Sequence, residues 1–293
     1  MLATDGFSIR DSWFGTAGMA NPTAIAAYDP RRSGFTGWGG GEVSLGGPCV
    51  ATIGSGIGYF QPSRPIDRAS IFVRVSTGGG QLRIAKASES FTIGTVGAEG
   101  FTRSEIVFTT KSADPIQYSY ISGGYVSVAG TVAWDSALPG IEVANFSIYG
   151  TTSIVQGSTA KPASPLNALG SYQPHLTFVK LGTHDINTGV SLAVWEANIR
   201  AIVTKAKLTG SVVLIWPSIG GASGNYGTDA VRMMWRVRAL QIALNSGAIF
   251  FDEEAMLGGR VGANASGALP DNVHAAEWAQ LLEAVAHHRL VRW

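Results

Sequence analysis

HLTFVKLGTHDIN, residues 175–187, reads as a short apolar strand that ends in a glycine turn and runs into a polar helix start. An apolar run of this length without alternation suits a strand buried on both faces of a sheet. The same grammar recurs around it, in IEVANFSI (141–148), SVVLIW (211–216) and AIFFD (248–252). Between these runs Leu192, Trp195, Ile199, Ile202, Val203 and Ala206 recur at spacings of three and four, which predicts one buried face of a helix. Thr228 to Asn245 opens on a Thr-Asp capping signal and is apolar nearly all round, which predicts a well-buried helix. A last helix is expected after His274, with Trp278, Leu281, Leu282 and Val285 inward. Strands alternating with helices predict a parallel, doubly wound sheet.

Before Gly140 the grammar is different. ASIFVRVS (69–76), QLRIAK (81–86), RSEIVFTT (103–110) and YVSVAGTVAW (125–134) alternate with period two between Gly, Ser and Pro, so Ile71, Val73 and Val75 share a strand face. Of the 38 glycines, 23 fall in residues 1–140, as many tight turns between short strands require. This region reads as an all-β sandwich or jelly roll. The α/β part lacks a first strand, and LATDGFSI (2–9), running into Arg10-Asp11-Ser12, supplies a candidate. The expectation is a discontinuous α/β domain, residues 1–19 and 141–293, with residues 20–140 as an inserted β module.

The chain has 293 residues, 14% of them charged, with Lys+Arg 21 against Asp+Glu 20 and a formal charge of +1. That balance offers no basic footprint for a nucleic-acid backbone and no polybasic run for an anionic membrane. A 45% hydrophobic fraction argues against disorder. One Cys cannot form an internal disulfide, so packing must hold the fold. MLATDGFSIR carries an acid at Asp5 and no apolar core segment, and no apolar run approaches the ~18 residues of a membrane span. The expectation is a soluble protein without an export signal at this N-terminus, with any extracellular or virion-surface location reached by another route.

In an open parallel sheet the ligand site lies beyond the carboxyl ends of the strands. Residues there are Asp11-Ser12, Gly150-Thr151-Thr152, Gly182-Thr183-His184-Asp185 and, in a later loop, Asp271-Asn272-Val273-His274. A hydroxyl, a glycine turn, a side-chain donor and a carboxylate-imidazole pair are the parts of an acyl-transfer site. Their order resembles the SGNH (GDSL-type) hydrolases. LGTHDIN (181–187) stands at the third block of that family, NFSIYGTTS (145–153) at the second and LPDNVH (269–274) at the last. The GDS turn appears as Arg10-Asp11-Ser12-Trp13, with Arg in place of Gly, and Gly6-Phe7-Ser8-Ile9 is a second partial match.

The resemblance implies a flavodoxin-like sheet and a serine esterase that removes acetyl or other small acyl groups. Ser12 would be the nucleophile, with Ser8 as the alternative. His274 would be the base and Asp271 its orienter, and the N–H groups of Ser12 and Gly150 would serve the oxyanion with His184, where the family has Asn. No cofactor follows from this set. His184, Asp185, Asp271 and His274 include suitable metal-ligand types, but no HExxH accompanies them and no metal is expected. The inserted β module resembles accessory modules of carbohydrate-active members, so the expected substrate is an acylated carbohydrate. Trp38, Tyr59, Phe60 and Trp134 would stack on sugar if exposed and otherwise belong to the core. The glycine runs WGGGE (38–42), IGSGIG (53–58) and the triplet 78–80 fit neither GxGxxG nor a P-loop and read as turns. Arg10 and His184 at family positions leave a second reading open: a non-catalytic carbohydrate-binding or attachment protein, as on a phage-like particle, built on a decayed hydrolase scaffold.

Overall fold

The period-two stretches form strands. The computed structural model describes residues 8–14, 33–36, 38–52, 54–94, 99–148, 150–217 and 227–268. Twelve described strands come first: β1 Ser8–Phe14, β2 Ser33–Thr36, β3 Gly39–Ser44, β4 Gly47–Thr52, β5 Ile57–Phe60, β6 Ile66–Val75, β7 Gly80–Lys86, β8 Glu89–Ile93, β9 Gly100–Ser112, β10 Ile116–Gly123, β11 Val126–Trp134 and β12 Gly140–Glu142. The described chain continues with α1 Ser153–Gln156, α2 Pro165–Tyr172, β13 Leu176–Lys180, α3 Thr183–Asn187, α4 Leu192–Lys207, β14 Ser211–Trp216, α5 Asp229–Ser246, β15 Ile249–Asp252, α6 Glu253–Met256 and α7 Gly259–Ala265. The chain divides into two compact units, Met1–Tyr149 with Ser158–Tyr172, and Gly150–Gly157 with Gln173–Trp293.

In the first unit a seven-stranded sheet runs β12-β1-β11-β4-β3, with β6 also on β11 and β9 on β6. A five-stranded sheet runs β2-β5-β10-β7-β8. Ile71 and Val73 of β6 and Val126 and Val128 of β11 share one core with Leu82 and Ile84 of β7 and Tyr118 of β10. Burying each such aliphatic side chain contributes roughly 1.5–3 kcal/mol. The other face of β6 is covered too. Phe72 lies 5.7 Å from the Tyr172 ring of α2 and 6.4 Å from Phe101, and Arg103 Nε donates to Ser70 Oγ at 3.0 Å.

The segment expected as first strand of the parallel sheet pairs inside this unit. β1 runs antiparallel to β11, Asp11↔Ala133 through Phe14↔Gly130, and parallel to β12, Ser8↔Gly140 through Arg10↔Glu142. The reason lies in β11. One edge is taken by β6 along its length, but β4 covers the other only at Val126–Val128, and β1 satisfies the backbone groups left at 130–133. The expected strand 141–148 is also shorter: β12 stops at Glu142, and Asn145 Oδ1 accepts the Ser147 N–H at 2.9 Å in a local turn that competes with extended pairing.

The second unit contains the parallel strands β13-β14-β15, in register Leu176↔Ser211 and Val213↔Ile249. On α4, Trp195, Ile199, Ile202, Val203 and Ala206 are buried, as the spacing predicts, and Ser191 Oγ accepts the Val194 N–H to start the helix. On α5, Thr228 Oγ1 accepts the Val231 N–H, and Gly247 closes the end in the left-handed conformation, φ 63°. The expected all-round burial of α5 is corrected. Trp235, Ala239, Ile242 and Ala243 are buried, with Trp195 and Trp235 ring centroids 5.0 Å apart, whereas Met233, Val237, Leu240 and Leu244 are exposed. A helix laid on a sheet covers a stripe, so apolar composition beyond the stripe does not bury it. No described helix is long and apolar enough to cross a membrane.

Candidate active site

The second unit brings two of the expected site residues together. After β13 the chain turns at Gly182, φ 140°, a backbone region that favours glycine. A Cβ there would sit 3.5 Å from Trp195 Nε1 and 3.6 Å from the Trp216 ring, so the turn rests on two buried indoles. α3 follows directly and carries His184 and Asp185. Gly150, φ 64°, lies against the His184 imidazole, since a Cβ on it would be 3.8 Å from His184 Nε2 and 3.9 Å from Cε1. Peptide and imidazole donors side by side are what an oxyanion developing between them would need.

Asp185 holds this pair in place, though not in the way a capping residue for its own segment would. Its fully buried carboxylate accepts the Ser153 N–H at 2.9 and 3.1 Å and the Ser153 hydroxyl at 2.7 Å. Asn198 Nδ2 of α4 donates to the same Ser153 Oγ at 3.3 Å. Asp185 therefore caps α1, whose N-cap Thr152 makes no side-chain cap bond. It binds the segment after Gly150 to the segment bearing His184. Gly157 allows the close approach, because a Cβ there would come within 3.0 Å of Asn198 Oδ1 and of Ser153 O. Ser153 and Asn198 were not singled out in the sequence. The available signal was Asn198, a polar residue beside Ile199 and three after Trp195 on the inward stripe.

The carboxyl ends of the parallel strands carry a second set of polar residues that sequence reasoning passed over. Lys180 Nζ pairs with the fully buried Glu253 at 2.7 Å, Trp216 Nε1 donates to Glu254 Oε2 at 2.8 Å, and Arg236 pairs with Asp252 Oδ2 at 2.6 Å. Asp252 ends β15 and Glu253-Glu254 directly follow it, an acidic run that was the legible sign of this set. Among the described residues no three His, Cys, Asp or Glu side chains are grouped to hold a metal.

Ser8 and Ser12 both fall in β1, where Ser8 registers with Gly140 and Ser12 with Val132. Ser12 thus stands within a strand rather than in a turn after one. Arg10, at the family's Gly position, has a structural occupation: its guanidinium lies 4.5 Å from the Trp134 ring centroid and 3.8 Å from Glu142. Asp271 and His274 lie outside the described residues.

No family model matches the chain, and no curated protein matches it. Among solved structures it is similar to a peptidoglycan O-acetylesterase, with a TM-score of 0.67 at 18% identity over 89% of this chain and 78% of that one. That esterase is an SGNH hydrolase, and the likeness to it is one of fold. A Bacillus subtilis protein, YxiM, follows at TM-score 0.46 and 15% identity over 89% of this chain and 90% of that one. An acetylxylan esterase of Geobacillus stearothermophilus follows at 0.43 and 20%, over 51% and 72%. At identities this low a shared fold does not carry the chemistry with it.

Proposed function

We propose that this chain is a serine esterase that removes acetyl or other small acyl groups from a carbohydrate. The observation that carries the reading is the Gly150 turn seated against His184 and clamped there through Asp185 and Ser153. The fold-sharing neighbour is named for O-acetyl esters of peptidoglycan, which supports an acylated polysaccharide as the substrate class.

Ser12 Oγ attacks the acyl carbonyl while His274 takes its proton. The tetrahedral oxyanion is met by the N–H groups of Ser12 and Gly150 and by the His184 imidazole. Collapse breaks the ester bond, and His274 returns the proton to the leaving sugar hydroxyl. Water then attacks the acyl-Ser12 with His274 again as base, releasing the acid. Asp271 holds the His274 tautomer and stabilises its charged form. These steps require no metal or organic cofactor. A neutral imidazole has one N–H, so His184 replaces the family's Asn only in the tautomer that points it at the oxyanion. Residues 20–140 act in this reading as an inserted β-sandwich that binds the carbohydrate, on a doubly wound α/β domain.

The test is turnover of p-nitrophenyl acetate and of acetylated xylan by the parent, Ser12→Ala, His274→Ala and His184→Ala. Ser12→Ala and His274→Ala are expected to abolish turnover, and His184→Ala to lower kcat about 10²–10³-fold, as for loss of one oxyanion donor. Turnover surviving both of the first two substitutions overturns the triad, and if Ser8→Ala alone abolishes it the nucleophile is Ser8. Ser12 inside β1 and the engaged Arg10 favour a second reading, a non-catalytic carbohydrate-attachment protein, and a parent without turnover that still retains polysaccharide would establish it.

A further inference from the structure

The second unit has a cleft of about 240 Å³, separate from the Gly150–His184 pair. Asp229, Arg232, Met233 and Arg236 of α5 line one side, and Glu254 and Val261 line the other. It opens just beyond the carboxyl ends of β14 and β15, since Glu254 takes the Trp216 indole N–H and Arg236 holds Asp252 at the last residues of those strands. Ligands of open α/β sheets gather at that edge.

Its lining has a definite chemistry. Arg232 is 3% exposed, and its Nε is buried with no hydrogen-bond partner among the described residues. A buried guanidinium N–H left without an acceptor is costly unless something supplies one. The wall carries two guanidinium groups and two carboxylates, those of Asp229 and Glu254, and each guanidinium already holds a carboxylate, Arg232 that of Asp229 and Arg236 that of Asp252, a third carboxylate outside the lining. A further anion finds no net attraction there. A neutral group that both donates and accepts fits donors and acceptors on the same wall. Met233 and Val261, 52% and 77% exposed, add apolar surface for the C–H face of such a group. Gly259 leaves open space, with nothing within 4 Å of a Cβ built on it. The volume falls below the ~300 Å³ at which pockets for drug-sized ligands begin, so the cleft takes one small ring and not a chain of them.

We propose that this cleft is a subsite for a single neutral sugar ring. The proposal rests on the carbohydrate reading above for its role in the reaction, but sugar binding is measured without turnover. The full chain is titrated with N-acetylglucosamine and methyl xyloside, and with glucuronate as the anionic counterpart, by saturation-transfer NMR and calorimetry. Val261→Trp fills the cleft from an exposed position, and Arg232→Met removes the buried donor, with circular dichroism checking that both fold. At least one neutral sugar is expected to bind the parent at millimolar concentrations, and each folded variant to weaken that binding about tenfold or more. Binding by the parent and unchanged binding by Val261→Trp would overturn the proposal. So would a parent that binds neither neutral sugar, or one that prefers glucuronate. A parent that binds sugar in this cleft but never cleaves p-nitrophenyl acetate keeps the subsite and removes the esterase.

Discussion

The two units bury polar groups in different places. In the first unit most of them sit within strands and reach strands other than their ladder partners: Tyr118 and Thr131 hydroxyls meet at 2.6 Å, Lys86 Nζ donates to Thr110 O at 2.6 Å, and Arg74 pairs with Glu42 at 2.9 Å. In the second unit the buried polar residues described, Ser153, Asp185, Arg232 and Glu253, stand in the segments that follow the sheet strands or flank the Gly150 turn. A polar group inside a strand ladder fixes register, because slipping the strand would leave it unsatisfied. A polar group past a carboxyl end holds a loop where ligands meet the sheet. In this chain, buried polar groups therefore mostly tie strands together in the first unit and tie loop and helix-end segments together in the second.

The comparison breaks most visibly in the β core. Ile71→Ala, at a fully buried position, is expected to cost about 2–5 kcal/mol. Cys49 reports on it: burial pushes its thiol up to about 12, so alkylation should require opening of the first unit. Faster iodoacetamide labelling in Ile71→Ala is the expected result, and an unchanged rate would show that Cys49 does not follow that core. Asp185→Ala comes next. It leaves the Ser153 N–H and hydroxyl without their acceptor, at about 1–3 kcal/mol for a buried group so stranded. Thermal melts should show that loss and ester turnover should fall, while Cys49 labelling stays as in the parent. Labelling that rises as much as in Ile71→Ala would end the distinction between the units.

The smallest effect sharpens the register argument. Glu89 on β8 accepts the Thr109 hydroxyl at 2.6 Å and the Thr109 and Thr110 N–H groups of β9 at 2.7 and 2.9 Å. These bonds, the hydroxyl first, hold its carboxyl down to about 2. A depressed carboxylate stabilises the fold above its unfolded value near 4.3 and loses that contribution as pH falls through about 2. Acid unfolding of Glu89→Gln should therefore lie above the parent profile in unfolded fraction at neutral pH and converge with it at the acid end. Parallel profiles would mean that Glu89 does not tie β8 to β9.

Elements whose partner is implied by their own pattern were legible. The period of Ile71, Val73 and Val75 marked β6, and Trp195, Ile199, Ile202 and Ala206 marked α4 almost residue for residue. Where the partner decides, the pattern ran out. Nothing local to Ser8–Phe14 tells it to complete the edge of β11, and the apolar outside of α5 looks in sequence like its inside. Of the candidate site, His184 was legible behind the apolar run of β13, because a turn after a strand has a local signature, whereas the run before Gly150 is a strand only to Glu142. The Asp185–Ser153–Asn198 clamp was not legible, since it joins residues 32 and 45 positions apart.

By itself the sequence determined that a turn-rich, strand-forming first half precedes a strand-and-helix second half, and that charge is sparse and balanced. Periodicity and turn chemistry are local properties, so they survive in one dimension. The tertiary structure alone decided that Arg10 lies over Trp134, that Gly150 lies against His184, and that the arginines of α5 line a cleft with Glu254. Each of these joins segments distant along the chain, and a side chain's meaning there comes from what folding places within a few ångströms of it.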